Sequence, residues 1–484
     1  MPMNRVILNS VETKNSIINR AKSLEDRWQN LCRRFLPIGG NGSIWRYTRR
    51  RKPDDPEQGW KLHVSATILN ASDLLEIVAP FLESQKAFYK APKSLRELKK
   101  LNSGVYYDYS QIGKFITIYP QNDEHALFLA ERLHRLTLCN SSPTIPFDLR
   151  YQPKSSVFYR YGAFKIRKID DADGSIVLAL QDEKGNLIPD VRDGEESHPA
   201  WISNPFPVER KEVSATDSYL KKNFRILRAL SQRGKGGVYQ GFDLTGNAPR
   251  VCVLKEGRKN GEVDWDGRDG FWRVKHEESV VEHLRKAGVA VPEIYSAFES
   301  ENNYYVAAEF IEGANLHAFL KRKRRRISIK QAIKFAAEIA ETLSRIHAAG
   351  WLWRDCKPGN LIVTKKGTLR PLDFEGACLI VDPDPIPWTT LRTDSPELNE
   401  LLFKESNAAV DLFALGAVLY LLIEGKSPVV GKDSVPTINR RNVPGEIKRL
   451  IADLLDPETA RHLNIKSVAE KLEDFGKFNK TTSK

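Results

Sequence analysis

Residues 351–363 read Trp-Leu-Trp-Arg-Asp-Cys-Lys-Pro-Gly-Asn-Leu-Ile-Val, and Asp373-Phe374-Glu375 follows a short way downstream. No other stretch restricts the fold so tightly. Asp355 precedes Asn360 by five residues and Asp373 by 18, a spacing that suits a catalytic loop, a short hairpin and a metal-binding loop folded back beside it. The residue types are those that magnesium-assisted phosphoryl transfer requires. Asp355 would accept the proton of an attacking hydroxyl, and Lys357 would neutralise the moving phosphoryl group. Asn360 and Asp373 would hold Mg²⁺ on the phosphates of ATP or GTP.

This stretch resembles the protein-kinase catalytic loop, and matching pieces stand on both sides of it. Lys255 lies in the apolar run Val251-Cys-Val-Leu-Lys-Glu256, a strand that would aim its ammonium at the α- and β-phosphates. Its acidic partner should sit on a helix. Glu277 fits better than Glu278 or Glu282, because Val280, Val281 and Leu284 follow it at i+3, i+4 and i+7. Phe224 to Tyr239 places two apolar runs around Gly234, Gly236 and Gly237, suiting a β-hairpin whose backbone, with Val238, covers phosphates. Glu309 occupies the position of the adenine-receiving hinge, Gln331 to Ala349 reads as the amphipathic helix that delivers the catalytic loop, and Ser395-Pro396-Glu397, Asp411, Leu415-Gly416 and Arg461 match later landmarks, with Arg461 expected to pair with Glu397. Four positions depart from the pattern. Trp353 replaces the usual His, Glu375 replaces a Gly and so removes its φ freedom, and Arg233 and Ser231 stand where loop glycines are expected.

The resemblance covers about half of the chain, as an N-lobe over 223–312 and a C-lobe over 313–484 of a bilobal kinase-like fold. At 484 residues the length calls for two or three domains. Residues 31–188 alternate short β-rich runs with helical stretches, an α+β pattern, after an N-terminal extension over 1–30. Pro- and charge-rich sequence over 189–222 reads as the connection between the two halves. The apolar run Leu412 to Ile423 spans twelve residues against the roughly 20 a bilayer needs, so it reads as a buried helix and no membrane contact is expected. The N-terminus lacks a secretion signal, which makes the cytoplasm the expected location. Five widely spaced cysteines, Cys32, Cys139, Cys252, Cys356 and Cys378, indicate neither a disulfide framework nor a structural zinc site. The net charge of +13 is concentrated in runs such as Arg46–Lys52 and Lys321–Arg326. Such runs are most often solvated ends or loops, and nothing beside them indicates nucleic acid.

The N-terminal half is rich in cations and aromatics, and in a strand over Lys61 to Ser65 the side chains of Lys61 and His63 share one face. A cation beside an imidazole can hold a phosphate and donate a proton to it. With a kinase-like unit following, the whole chain resembles the class III and class IV lanthipeptide synthetases, in which a phosphoserine/phosphothreonine lyase precedes a kinase. That resemblance implies a phosphothreonine-lyase-like α+β domain and a dehydratase that phosphorylates Ser and Thr of a leader-bearing precursor peptide, then eliminates phosphate to give dehydroalanine or dehydrobutyrine. By the same likeness His63 is the general acid, Lys90 the base removing the Cα proton, and Lys61, Lys114 and Arg160 the phosphate ligands. Taken without it, these are a packed histidine, solvated lysines and a structural ion pair. A cyclase domain with a zinc site is not evident before Lys484, so ring closure would fall to a separate cyclase or to a portion of a longer protein. Two other readings fit the residues: a Ser/Thr kinase whose N-terminal domain only binds substrate, and a pseudoenzyme scaffold.

Overall fold

The computed structural model describes residues 14–40, 42–138, 140–165, 167–170, 176–190, 198–207, 218–323, 326–384, 408–430 and 436–478. Cys139, Ser395-Pro396-Glu397 and the Arg461–Glu397 pairing therefore lie outside the described residues. The chain clusters into two compact units. The first holds the described residues up to 247 with 255–272 and 299–305, and the second holds 248–254, 273–298 and those from 306 onward.

The first unit is α+β, as expected. It runs α1 (Lys14–Phe35), β1 (Ile38–Gly39), β2 (Trp45–Tyr47), β3 (Gln58–Val64), α2 (Ala71–Ser84), β4 (Phe88–Pro92), α3 (Leu95–Ser103), β5 (Ile116–Tyr119), α4 (Asp123–Leu136), β6 (Leu149–Arg150) and β7 (Val157–Ala163). The strands form one antiparallel sheet in the order β1-β2-β4-β5-β3-β7-β6. Alternation along β3 sets its two faces. Trp60, Leu62 and Val64 point into a core with Leu74, Leu75 and Val78 of α2 and Leu129 and Leu133 of α4, leaving Lys61 and His63 on the opposite face.

Helix α1 is part of this core rather than an extension before it. Trp28, Leu31, Cys32 and Phe35 are buried, the Trp28 indole donates to Pro92 O at 3.2 Å, and its ring meets Phe115 at 5.4 Å. Truncating a buried Trp costs about 3–5 kcal/mol, so the domain begins well before residue 31. Phe206, inside the expected 189–222 connection, likewise stacks on Tyr159 at 4.0 Å within the core. A small antiparallel sheet of β8 (Lys168–Asp170), β9 (Ile176–Gln181) and β10 (Leu187–Pro189) flanks the main one in sequence.

The chain continues through α5 (Tyr219–Asn223), β11 (Phe224–Arg233), β12 (Gly236–Asp243), β13 (Arg250–Gly257), α6 (Gly270–Lys286), β14 (Ile294–Ser300) and β15 (Asn303–Glu309). Strands β11 and β12 form the expected antiparallel hairpin, closing between Arg233 and Gly236. Then come β16 (Gly313–Asn315), α7 (Leu316–Arg322), α8 (Ile329–Ala348), β17 (Trp351–Leu352), β18 (Leu361–Thr364), β19 (Leu369–Pro371), β20 (Cys378–Leu379), α9 (Ala409–Glu424), α10 (Gly445–Leu455), α11 (Pro457–Ala460) and α12 (Ile465–Phe478). Helix α9 covers the apolar run 412–423 and is buried along all its residues but Leu421, the pattern of a central helix wrapped by others. At Gly416 an added Cβ would lie 2.7 Å from Leu454 Cβ, so the glycine lets α10 approach closely. No helix among the described residues is long and apolar enough to cross a membrane.

Candidate functional sites

Two groups of candidate residues emerge. In the first, strand register assembles the N-terminal cluster. Lys61 on β3 pairs across the sheet with Arg160 on β7, while His63 on β3 and Lys90 on β4 both flank Thr117 on β5. All five therefore share the face opposite the helix-packed core. Gly162 leaves space where two cationic heads meet, since a Cβ there would be 3.4 Å from Lys61 Nζ and 3.7 Å from Arg160 Nη1. His63, Lys114 and Arg160 are buried. Packing cations together away from water disfavours their charge. Burial, then the neighbouring Arg160, drives Lys61 well below the usual lysine range. Burial, helped by Lys114, brings Lys90 down to about 8, although its ammonium also sits 4.1 Å from the Trp45 ring centroid, a contact that favours the charged form.

Sequence reasoning missed the acids of this cluster. Asp148, wholly buried, lies 2.5 Å from His63 Nδ1 and 3.3 Å from Lys114 Nζ, and Asp190 accepts from Arg160 Nη2 at 2.6 Å. Burial opposes the Asp148 charge, but Lys114 and His63 outweigh it and hold the carboxyl below the usual range. For His63 burial wins over the pull of Asp148, and the imidazole is held neutral. One signal was available. Between residues 132 and 169 the sequence carries eight Lys and Arg and a single acid, Asp148.

In the second unit the catalytic loop is tied down from several sides. Lys357 Nζ reaches Asp355 Oδ2 at 2.8 Å, and Asn360 Nδ2 donates to the carbonyl and carboxylate of Asp355 at 3.0 and 2.8 Å. With its amide nitrogen so used, Asn360 offers Oδ1 to a cation. That oxygen and the Asp373 carboxylate are hard donors of the kind Mg²⁺ accepts, so the residues present fit the ion. Asp411 at the start of α9 accepts the amides of Trp353 and Arg354 at 2.9 and 2.7 Å, and His347 Nε2 lies 2.9 Å away. Arg354 and Asp373 take φ of 66° and 65°, left-handed conformations that concentrate at functional loops.

Both departures near this loop have a physical account. The Trp353 indole donates to Asp373 O at 3.0 Å and stacks on Phe374 at 5.3 Å, so it pins the metal-binding loop itself. Glu375 needs no glycine freedom, because the left-handed residue of this turn is Asp373 and Glu375 is absent from the positive-φ set. Glu277 is buried on α6 and accepts the Phe374 amide at 3.1 Å. Glu309 uses its amide for Glu293 O at 2.8 Å and its carboxylate for Arg370 at 2.9 Å.

The hairpin corrects one expectation. Gly234 does not serve as a phosphate cradle, because its amide donates to Ser103 O at 3.0 Å and an added Cβ would fall 1.7 Å from Asn102 O. The hairpin tip is packed against the end of α3. Gly236, Gly237, Val238 and Lys255 belong to the same unit. Arg461 has Glu458 at 3.5 Å.

Comparison with known proteins agrees with both halves. Residues 39–218 match the family described as RamC, N-terminal domain, and residues 226–476 match the protein kinase domain. A probable SapB synthase of Streptomyces coelicolor is 30% identical over 347 residues, 69% of this chain and 37% of that protein. A probable serine/threonine-protein kinase PknB of Lactococcus lactis is 27% identical over 256 residues, 52% of this chain and 39% of that protein. Serine/threonine-protein kinase PknA of Mycobacterium tuberculosis is 29% identical over 255 residues, 50% of this chain and 56% of that protein. The chain thus spans less than two thirds of the length of each of these relatives.

Proposed function

The chain belongs to the protein kinase family and carries a RamC N-terminal domain ahead of its kinase domain, and from this we propose that it is a two-step dehydratase of the lanthipeptide type. The kinase phosphorylates Ser and Thr of a precursor peptide, and the N-terminal domain eliminates the phosphate. The likeness to a SapB synthase, which runs through both domains, supports a peptide substrate. Ring closure by a cyclase and recognition of a leader are further parts of the same proposal.

In the kinase step Asp355 accepts the proton of the attacking hydroxyl, and Lys357, 2.8 Å from it, faces the transferring phosphoryl group. By the kinase likeness Lys255 is assigned to the α- and β-phosphates, Glu277 to the acidic role on α6, and Gly236, Gly237, Val238 and Glu309 to the nucleotide, ATP or GTP. Asn360 and Asp373 would hold Mg²⁺, which would supply charge neutralisation on the phosphates.

The observation that carries the second step is the buried cationic cluster around His63. Lys61, Lys90, Lys114 and Arg160 surround two carboxylates, Asp148 and Asp190, so the cluster holds more donors than acidic partners, and a phosphomonoester dianion would accept from them and favour the Lys61 charge that burial disfavours. Lys90, brought down to about 8, has a neutral fraction at neutral pH able to take the Cα proton. As the Cα=Cβ bond forms, the Cβ–Oγ bond breaks, and His63 gives a proton to the departing phosphate. A bound dianion favours the charged imidazole that burial alone disfavours.

The test is mass spectrometry of a Ser-rich acceptor peptide incubated with the chain, nucleotide and Mg²⁺. Dehydration removes about 18 Da per site, whereas a kinase alone leaves a gain of about 80 Da, the formula masses of the two outcomes. A stable 80 Da adduct would refute elimination and leave a Ser/Thr kinase with a binding domain. No change at all would favour a scaffold.

A further inference from the structure

The elimination chemistry above gives no part to the two carboxylates of the N-terminal cluster, and one of them, Asp148, touches the acid His63. Resting on that elimination reading, we infer that Asp148 is the positioning residue for His63, accepting the Nδ1 hydrogen so that Nε2 faces the departing phosphate. Its place in the fold is costly in two ways. The carboxylate is wholly buried, with His63 Nδ1 at 2.5 Å and Lys114 Nζ at 3.3 Å, and burying a charge demands compensation that an apolar residue would not need. The residue before it, Phe147, takes φ of 63°, a left-handed conformation that a bulky side chain adopts only under constraint.

Local sequence explains how that constraint is applied. Strand β6 begins at Leu149 and registers Leu149 with Tyr159 and Arg150 with Phe158 on β7, while Phe158 in turn registers with His63 on β3. The Phe147 ring packs against Tyr109 at 6.0 Å, 72° between planes. The short strand fixes the chain on one side and the ring on the other, and Asp148 is turned toward His63 between them. A loop that had only to close would place Gly or Asn at 147 and an apolar side chain at 148.

The consequence is a defined tautomer. A neutral imidazole has one N–H and one lone pair, and the bond made by one nitrogen decides the state of the other. With Nδ1–H directed at Asp148, Nε2 is the nitrogen that takes up a proton as the dianion binds and releases it to the phosphate oxygen as Cβ–Oγ breaks. Asp148 stays ionised throughout and stabilises the transient imidazolium. Lys114 Nζ lies 3.3 Å from the other carboxylate oxygen, a charge contact that favours the ionised form of Asp148.

The full chain given pre-phosphorylated Ser peptide, without nucleotide, isolates this step. Asp148→Asn should lower kcat for phosphate release by about a hundredfold, as loss of such partners does, with KM within about threefold. Phosphorylation of unmodified peptide should continue at the wild-type rate. Combined with His63→Ala, Asp148→Asn should add no further loss, because a residue acting only through His63 has nothing left to position. Multiplying losses, or wild-type release by Asp148→Asn, would overturn the assignment. A measurement on the unmutated chain stands apart from any folding defect: histidine-selective nitrogen-15 NMR should find His63 as the Nδ1–H tautomer, and the Nε2–H form would overturn it. Failure of the wild-type chain itself to release phosphate would instead remove the elimination reading on which the assignment rests.

Discussion

Replacing Lys90 by Met should stabilise the N-terminal domain while abolishing elimination. Burial and the charge of Lys114 bring Lys90 from its ordinary 10.5 down to about 8. At 1.36 kcal/mol per pH unit that fall corresponds to about 3 kcal/mol of disfavoured charge at neutral pH. The Trp45 ring 4.1 Å away is lost to the cation on substitution, and partial exposure of Lys90 screens the remainder, so about 1–2 kcal/mol is the expected net gain. Methionine follows the lysine stem and keeps contact with the ring. The sign in pH follows from linkage. Between about 8 and 10.5 the unfolded chain binds more protons than the folded one, so the wild-type domain gains stability as pH rises through that window. The advantage of Lys90→Met should therefore be full at pH 7 and gone above pH 10.5. Urea midpoints of the N-terminal transition, read by pulse proteolysis at pH 7 and pH 10.5, measure both. A variant less stable than wild type at pH 7, or an advantage equal at the two pH values, would refute the reasoning.

Other substitutions test the remaining geometry. Trp353→Phe keeps the stack on Phe374 but removes the indole bond to Asp373 O, which at about 1 kcal/mol should lower kinase kcat/KM roughly fivefold; unchanged kinetics would mean the loop holds itself. Gly234→Ala forces a Cβ to within 1.7 Å of Asn102 O and should destabilise the hairpin by about 1–3 kcal/mol, seen as faster hydrogen exchange at residues 224–243. Elimination by the wild-type chain should rise with pH through about 8 as Lys90 loses its proton, and a rate that falls over that range would remove Lys90 as the base.

Groups that do chemistry were legible where their spacing is dictated locally. Asp355, Lys357, Asn360 and Asp373 sit on two short loops joined by one hairpin, so sequence distance translates almost directly into geometry. Lys61 and His63 were readable because two residues along a strand share a face. Lys90, Lys114 and Arg160 came from family likeness; strand register places Lys90 and Arg160, and Lys114 lies just before β5. Asp148 was not seen because it follows an irregular segment whose direction is set by pairing with β7, and Asp190 because it follows a short strand 30 residues from the arginine it meets. The same limit explains Gly234. A glycine at a hairpin tip looks alike whether it faces a phosphate or the carbonyl of a distant helix end. Most of helix α1 was read as an extension over 1–30 because charged residues mask its apolar stripe of Trp28, Leu31, Cys32 and Phe35.

The central claim is that two separate sets of residues perform successive steps on one peptide. Its most direct test is Asp355→Asn assayed twice, once for transfer of labelled γ-phosphate to unmodified peptide and once for phosphate release from pre-phosphorylated peptide. Transfer should fall by about 10²–10⁴-fold with the loss of a general base, while release continues at the wild-type rate. Undiminished transfer, or a parallel loss of release, would contradict the account.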